Sequence, residues 1–154
     1  MIKAIALDVD GVLTDGTFWW DTAGAEIKRF SFRDVMGIAR ASREGIVFAL
    51  ISGEKNPIVD RYAAKLNITS VWQGCKAKDQ ALREFSEKCA VPLAEIAFMG
   101  DDVNDLAALA LAGFSAAPAD AHESVRAAVK FVTSHPGGNG AVRELLDHLN
   151  LGKP

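Results

Sequence analysis

Two short acidic clusters carry the strongest chemical signal in this sequence. Asp8 and Asp10, followed by Gly11, close an apolar run that starts at residue 3, and Asp101, Asp102 and Asp105 follow Gly100 at the end of a second run, residues 96–100. In an extended stretch, residues two apart point the same way, so Asp8 and Asp10 can face one crevice together. That spacing allows a division of labour: Asp8 attacks phosphorus as nucleophile, while Asp10 protonates the leaving oxygen and then deprotonates the hydrolytic water. Five carboxylates near one point repel strongly in a low dielectric, so a hard divalent cation is expected between them. Oxygen donors in small number favour Mg²⁺ over zinc or copper.

Taken alone, Asp-x-Asp-Gly reads equally well as a solvated strand-end turn. Ser52, which ends the apolar run 47–51, and Lys78, which opens a long helical stretch, weigh against that. A hydroxyl and an ammonium placed there can hold phosphoryl oxygens while charge builds in the transition state.

The elements that must position these groups are legible from hydrophobic patterning. Short apolar runs at 3–8, 46–52, 70–73, 96–100, 114–117 and 131–133 read as strands. Their nearly continuous apolar character marks strands covered on both faces, hence an α/β fold with a mostly parallel sheet. In such sheets ligands bind outside the carboxyl ends of the strands, which is where both acidic clusters fall. Helices are expected over about 34–44, 57–66, 78–89, 103–112, 121–128 and 140–149, with Asn56 capping and Pro57 at the first position of the second. Residues 17–32 break the alternation and read as a β-hairpin around an Asp/Gly turn. This insertion holds Phe18, Trp19, Trp20, Phe30 and Phe32, five of the chain's twelve aromatic residues. That is more than a two-stranded flap can bury alone, so it folds over its own body or meets another subunit, the second being the expectation.

Composition bounds the partners. At 154 residues, 49% hydrophobic and 24% charged, the chain is expected to form one domain over 1–154, and its net charge of −3 leaves no basic footprint for nucleic acid. Asp8 follows too soon for the apolar core of a signal peptide, and no run approaches the ~20 residues of a membrane span. A cytoplasmic protein with no membrane contact is expected. Cys75 and Cys89 lack metal-ligand spacing and read as a reduced pair; His122, His135 and His148 are scattered and read as surface or capping residues.

The motifs together resemble the haloacid dehalogenase superfamily, whose phosphatases carry Asp-x-Asp-Gly, then Ser/Thr, then Lys, then Gly-Asp-Asp-x-x-Asp. The resemblance implies a Rossmann-like core, a phosphoaspartate at Asp8, acid–base action by Asp10 and phosphate contacts from Ser52 and Lys78. It further implies Mg²⁺ held by Asp8, the Asp10 carbonyl and Asp101, with Asp102 and Asp105 supporting. Only 42 residues separate Asp10 from Ser52 and 26 separate Ser52 from Lys78, which leaves no room for a cap domain. An uncapped crevice admits water, so a large substrate or a neighbouring subunit must cover it.

Along nearly its whole length the chain resembles the capless 3-deoxy-manno-octulosonate 8-phosphate phosphatases, through the stretches 7–13, Arg33-Asp34, Gly37-Ile38, Gln73-Gly74, 119–122 and 137–144. That family implies a small-molecule sugar acid phosphate as substrate, a place in lipopolysaccharide biosynthesis, and a homotetramer whose hairpins close neighbouring active sites. The chain stops at Pro154 and is expected to lack the longer tail some members place in a neighbour's site. Gly53-Glu54-Lys55 departs from the Gly-Arg-Lys usual in the octulosonate branch and looks more like the branch acting on nine-carbon acids such as 2-keto-3-deoxynononate or N-acylneuraminate 9-phosphate. Tyr62 stands where both branches tend to carry Arg; Arg61 and Lys65 either replace that cation or are solvated charges. Arg33, Gly53, Glu54 and Lys65 are the expected substrate-binding residues, and Arg143 a candidate substrate or intersubunit contact.

Two rivals remain from other classes. A signalling receiver also gathers acidic residues, Ser/Thr and Lys on a parallel sheet, but its acidic pair comes first and its acceptor Asp later, the reverse of the order here. A non-catalytic interaction domain on a phosphatase fold is disfavoured by intact motifs.

Overall fold

A computed structural model describes residues 1–152. Six strands form one parallel sheet: β1 (Ala4–Leu7), β4 (Val47–Ile51), β5 (Ser70–Trp72), β6 (Ile96–Met99), β7 (Phe114–Ala117) and β8 (Phe131–Val132), in the order β5-β4-β1-β6-β7-β8. All six expected strands are present, and the α/β reading holds. β1 lies at the middle of the sheet, where chain order reverses direction, so its carboxyl end opens onto the crevice such sheets use for ligands.

The continuous apolar strands are explained by what covers them. Ile5 and Leu7 join a core with Ile38 of α1 (Phe32–Arg43), Val59 of α2 (Pro57–Lys65) and Leu145 and Leu146 of α6 (Ala141–His148). Ala4 and Ala6 face the opposite core, with Leu82 and Phe85 of α3 (Lys78–Cys89), Leu109 of α4 (Leu106–Leu111) and Val125 of α5 (Glu123–Ala128). Small residues on that side of β1 let α3 pack close to the sheet.

Helix ends follow local chemistry. Asn56 accepts the Ile58 amide at 3.0 Å ahead of Pro57, as the sequence leads one to expect. His122 does the same for α5, its ring Nδ1 accepting from the Ser124 amide at 3.2 Å. α6 opens on Gly140, which has no capping side chain; the fully buried Asp34 of α1 supplies it instead, accepting the Arg143 amide at 2.9 Å and the Gly140 amide at 3.4 Å. Gly37, one turn along α1, lets α6 approach, since a Cβ there would stand 2.9 Å from Arg143 Cδ and 3.0 Å from Leu146 Cδ1.

Two expectations need correction. The stretch 103–112 is not one helix: Asp102 and Asp105 form a reciprocal cap around a tight turn at Val103–Asp105, which breaks it before α4. The hairpin is shorter than 17–32. Its strands β2 (Trp19–Trp20) and β3 (Glu26–Ile27) pair antiparallel around Asp21, whose side chain accepts the Ala23 and Ala25 amides, while Ser31 caps α1 and Phe32 already belongs to that helix. Its aromatics divide in their surroundings. Phe30 stacks on Tyr62 with ring centroids 4.5 Å apart, whereas Phe18, Trp19, Trp20 and Phe32 are exposed. No helix among the described residues is long and apolar enough to cross a membrane.

Candidate active site

The crevice lies at the carboxyl ends of β1, β4 and β6. Asp8, Asp10, Ser52, Gly53, Glu54, Cys75, Lys76, Lys78, Asp101, Asp102 and Asn104 line a cavity of about 520 Å³. Eight of the residues expected from sequence are therefore in one place.

The Asp8 side of the crevice is held by charge. Lys78 Nζ lies 2.9 Å from Asp8 Oδ1 and 2.6 Å from Asp105 Oδ1, with its side chain only 2% exposed. A lysine in the first turn of a helix opposes the helix dipole, so these two carboxylates must account for its position. Asp8 Oδ1 also accepts the Val9 amide at 2.8 Å, which fixes the carboxylate plane. Both Asp105 oxygens are engaged, Oδ1 by Lys78 and Oδ2 by the Asp101 and Asp102 amides at 2.9 and 3.1 Å. Its place is behind the reacting groups, orienting Lys78 and the Asp101 loop, and Asp102 is occupied in capping the Val103 turn.

Asp8, Asp101 and Asp105 offer oxygens within 4.8 Å of one another. One ammonium against three carboxylates leaves the cluster short of positive charge. Burial first, then the Asp105 charge, push Asp8 well above the usual carboxylate range in spite of Lys78, and the same two causes raise Asp101 to about 6. With Asp105 engaged, Asp8 and Asp101 are the carboxylates of this group with oxygen left for a cation. Hard oxygens in a buried, charge-poor setting fit Mg²⁺. Gly11, at φ +86°, makes room for this pair, since a Cβ there would collide with the Asp101 carboxylate.

Ser52 is buried, its amide bonded to the Trp72 carbonyl at 2.8 Å and its hydroxyl accepting the Glu54 amide at 3.3 Å. It faces the crevice from β4 as Lys78 does from α3. The loop after β8 packs against the turn that follows Asp10: Gly138 donates to the Val12 carbonyl at 2.9 Å, and a Cβ on Gly137 would overlap the Gly11 carbonyl. The stretch 119–122 supports it, as Asp120 accepts the Gly137 amide at 2.9 Å and His122 donates its amide to the Asp101 carbonyl at 2.8 Å.

Two expected substrate contacts are placed elsewhere. Lys65 does not line this crevice; it borders a separate groove with Phe30, Phe32, Val35, Arg61 and Tyr62, its ammonium 5.4 Å from the Phe32 ring centroid. Arg33 is exposed on α1, beside Gly140 rather than at the crevice. Both lie on α1 or α2, and neither is among the residues that line the crevice. Arg143 is held by Asp147 at 3.0 Å, one helical turn on.

Sequence reasoning missed Lys28. Its side chain is 4% exposed, and Nζ lies 2.8 and 3.0 Å from the two Asp10 oxygens and 3.1 Å from Glu26 Oε1. Burial opposes the charge, but Asp10 and Glu26 outweigh it and hold the ammonium above its usual pKa. The signal was available: in Glu26-Ile27-Lys28 the two charges share one strand face, and a cation there meets the acidic end of β1.

Known proteins resemble this chain along most of its length. The family model of haloacid dehalogenase-like hydrolases matches residues 71–145. The chain is 40% identical over 150 residues to the 3-deoxy-D-manno-octulosonate 8-phosphate phosphatase KdsC of Escherichia coli (strain K12), spanning 97% of this chain and 80% of that protein. Against the Haemophilus influenzae KdsC it is 41% identical over 146 residues, 95% of this chain and 81% of the relative. The crystal structure of the Moraxella catarrhalis phosphatase of that name, in complex with magnesium, phosphate and KDO, superposes with a TM-score of 0.93 at 38% identity, covering 96% of this chain and 85% of that one. The Yersinia pestis phosphatase superposes with a TM-score of 0.95 at 35% identity, covering 98% and 82%. The chain thus belongs to the haloacid dehalogenase-like hydrolases and, among them, to the 3-deoxy-manno-octulosonate 8-phosphate phosphatase family, and is a phosphatase.

Proposed function

We propose that the chain is a Mg²⁺-dependent phosphatase that removes the terminal phosphate of a 3-deoxy-2-ulosonic acid, 3-deoxy-manno-octulosonate 8-phosphate first among them. The observation that carries this is the Asp8 carboxylate: Lys78 and the Val9 amide both engage one oxygen, which leaves the other free, and Asp8 and Asp101 offer oxygens within 4.8 Å of each other. Asp8 and Asp101, with the Asp10 carbonyl, would hold Mg²⁺, which when bound neutralises phosphoryl charge and draws the phosphate toward the nucleophile. Asp8 forms a bond to phosphorus as the bond to the sugar oxygen breaks, and Asp10 gives that oxygen its proton. Water then attacks the same phosphorus, returns a proton to Asp10, and inorganic phosphate leaves Asp8. Ser52 and Lys78 hold phosphoryl oxygens through both steps.

A second reading, a nine-carbon acid 9-phosphate, is favoured by Glu54, which borders both the crevice and the adjoining cavity beneath Phe18 and Trp20. A glutamate there accepts hydrogen bonds from sugar hydroxyls or an amine, where arginine would pair with a carboxylate. The exposed Phe18, Trp19 and Trp20 at 48, 56 and 69% support a homotetramer in which hairpins cover neighbouring crevices and a neighbour supplies Arg33 or Lys65 to the sugar. The same reading takes the enzyme as cytoplasmic and as one domain over 1–154, in keeping with the single six-stranded sheet.

Phosphate release from the eight-carbon and nine-carbon acid phosphates, with Mg²⁺ and with chelator, tests this. A higher kcat/KM for the eight-carbon ester, abolished by chelation, is expected. Preference for the nine-carbon ester moves the assignment to the second reading, and no hydrolysis of any phosphomonoester overturns both.

A further inference from the structure

The Asp10 carboxylate has weak support from its own loop. Its contact there is the Thr14 hydroxyl, at 3.5 Å from Oδ1. The short bonds come from Lys28, at 2.8 and 3.0 Å. Lys28 in turn is placed by Glu26 at 3.1 Å, and Glu26 accepts from Asn56 Nδ2 at 2.9 Å. Asn56 is fixed by capping α2 and by donating its amide to Gln73 Oε1 at 2.8 Å. A chain of short contacts therefore runs from the body of the protein through the hairpin to the acid–base residue. Two-residue strands do not hold a hairpin in place by themselves, so these contacts anchor it as well.

Lys28 also walls the cavity of about 400 Å³ that it shares with Asp10, Gly16, Phe18, Trp20 and Glu54, and which adjoins the phosphoryl crevice through Asp10, Gly16 and Glu54. A leaving group departing from phosphorus has that space to occupy, with Asp10 at the junction.

We propose that Lys28 is a positioning residue, aiming the Asp10 carboxylate at the leaving oxygen, so that each chain's hairpin is part of the acid–base apparatus of its own site. This rests on the phosphatase mechanism given above. Because Glu26 takes a share of the ammonium's hydrogen bonds, Lys28 holds Asp10 without being committed to it alone. Misplacing a proton donor slows departure of an alkoxide, which needs the proton, far more than departure of p-nitrophenolate, which does not.

The test compares kcat/KM, which ends with phosphorylation of Asp8, for an eight-carbon sugar acid phosphate and for p-nitrophenyl phosphate. In Lys28→Met the sugar ester is expected to lose about thirtyfold, and the aryl-to-sugar ratio to rise at least about tenfold. Lys28→Arg recovers part of the sugar ester activity. Equal losses on both esters show general damage to the site and overturn the proposal, as does no loss on either. Glu26→Gln, which keeps the ammonium and removes the charge of its second partner, decides the matter if Lys28→Met does not fold: the ratio is expected to rise about threefold, and an unchanged ratio overturns the proposal. A wild-type protein inactive on both esters overturns the phosphatase mechanism and this inference with it, whereas an active wild type with unaltered variants overturns this inference alone.

Discussion

Lys78 and Lys28 each place one ammonium between two carboxylates, yet they are held by opposite kinds of structure. Lys78 stands in the first turn of a 12-residue helix between Asp8 and Asp105, with side chains 7% and 0% exposed. Lys28 follows a two-residue strand and sits between Asp10 and Glu26, with side chains 33% and 27% exposed. The Asp8 side of the crevice is thus part of the protein's core, while the Asp10 side is completed by an inserted flap. A buried charge that loses its partner is strongly destabilising, whereas a partly solvated pair contributes little, so the two lysines should differ more in stability than in chemistry.

The largest effect is expected from Asp8→Asn, which leaves the side-chain volume and removes the nucleophile: phosphate release should fall by about 10⁴-fold or more while far-UV circular dichroism is unchanged. Retained turnover breaks the assignment of Asp8. Lys78→Met strands Asp8 and Asp105 without a cation, and urea unfolding should show a loss of about 3–5 kcal/mol, against under about 1 kcal/mol for Lys28→Met. Equal losses would erase the contrast between the two lysines.

Smaller effects come from elements far from the crevice. Glu144 accepts from the Ser134 and His135 amides, the Ser134 hydroxyl and the His135 ring. Its partial burial is outweighed by these bonds from Ser134 and His135, which hold it at about 2, below its ordinary 4.5. Because the folded-state pKa is the lower one, this stabilisation is present above about pH 4.5 and lost as pH falls toward 2. After allowance for solvent screening it amounts to about 1–2 kcal/mol, and Glu144→Gln should remove that share of the acid sensitivity in unfolding curves from pH 5 to 2. The smallest change in protomer stability is expected for Trp19→Ser with Trp20→Ser, about 0.5 kcal/mol or less, because both rings are exposed. Light scattering on that variant should nonetheless report a smaller assembly than the wild type, and an unchanged mass removes the hairpin from the interface.

The sheet and the crevice were legible because their signals are local and coincident: an apolar run, then an acidic or hydroxyl residue at its carboxyl end. Asp8, Ser52 and Asp101 each follow that rule. Lys78 was legible as a helix-start cation, although its partner Asp105 lies 27 residues on, a pairing that spacing alone does not give. The hairpin's true extent was obscured by Phe30 and Phe32, whose aromatic character suits a strand, while the Ser31 cap that begins α1 went unweighed. The break at Val103–Asp105 is hidden because Asp102 and Asp105 read as supporting residues of the metal site, though the same spacing makes a cap. Arg33 and Lys65 were placed by likeness of sequence, and likeness does not say which copy's crevice a side chain on α1 or α2 can reach.

The loop at Gly137–Gly138 has a consequence for how the enzyme comes into being. It closes on the backbone of Gly11–Thr14 from the other end of the chain, across about 125 residues of sequence. A nascent chain emerging from the ribosome can lay down β1, β4, Asp8 and Asp10 early, yet the turn after Asp10 lacks its packing partner until residues 137–138 have been made. The site is therefore completed after its acidic motifs are made, and products that stop short of this loop hold those motifs without the packing that backs Gly11–Thr14.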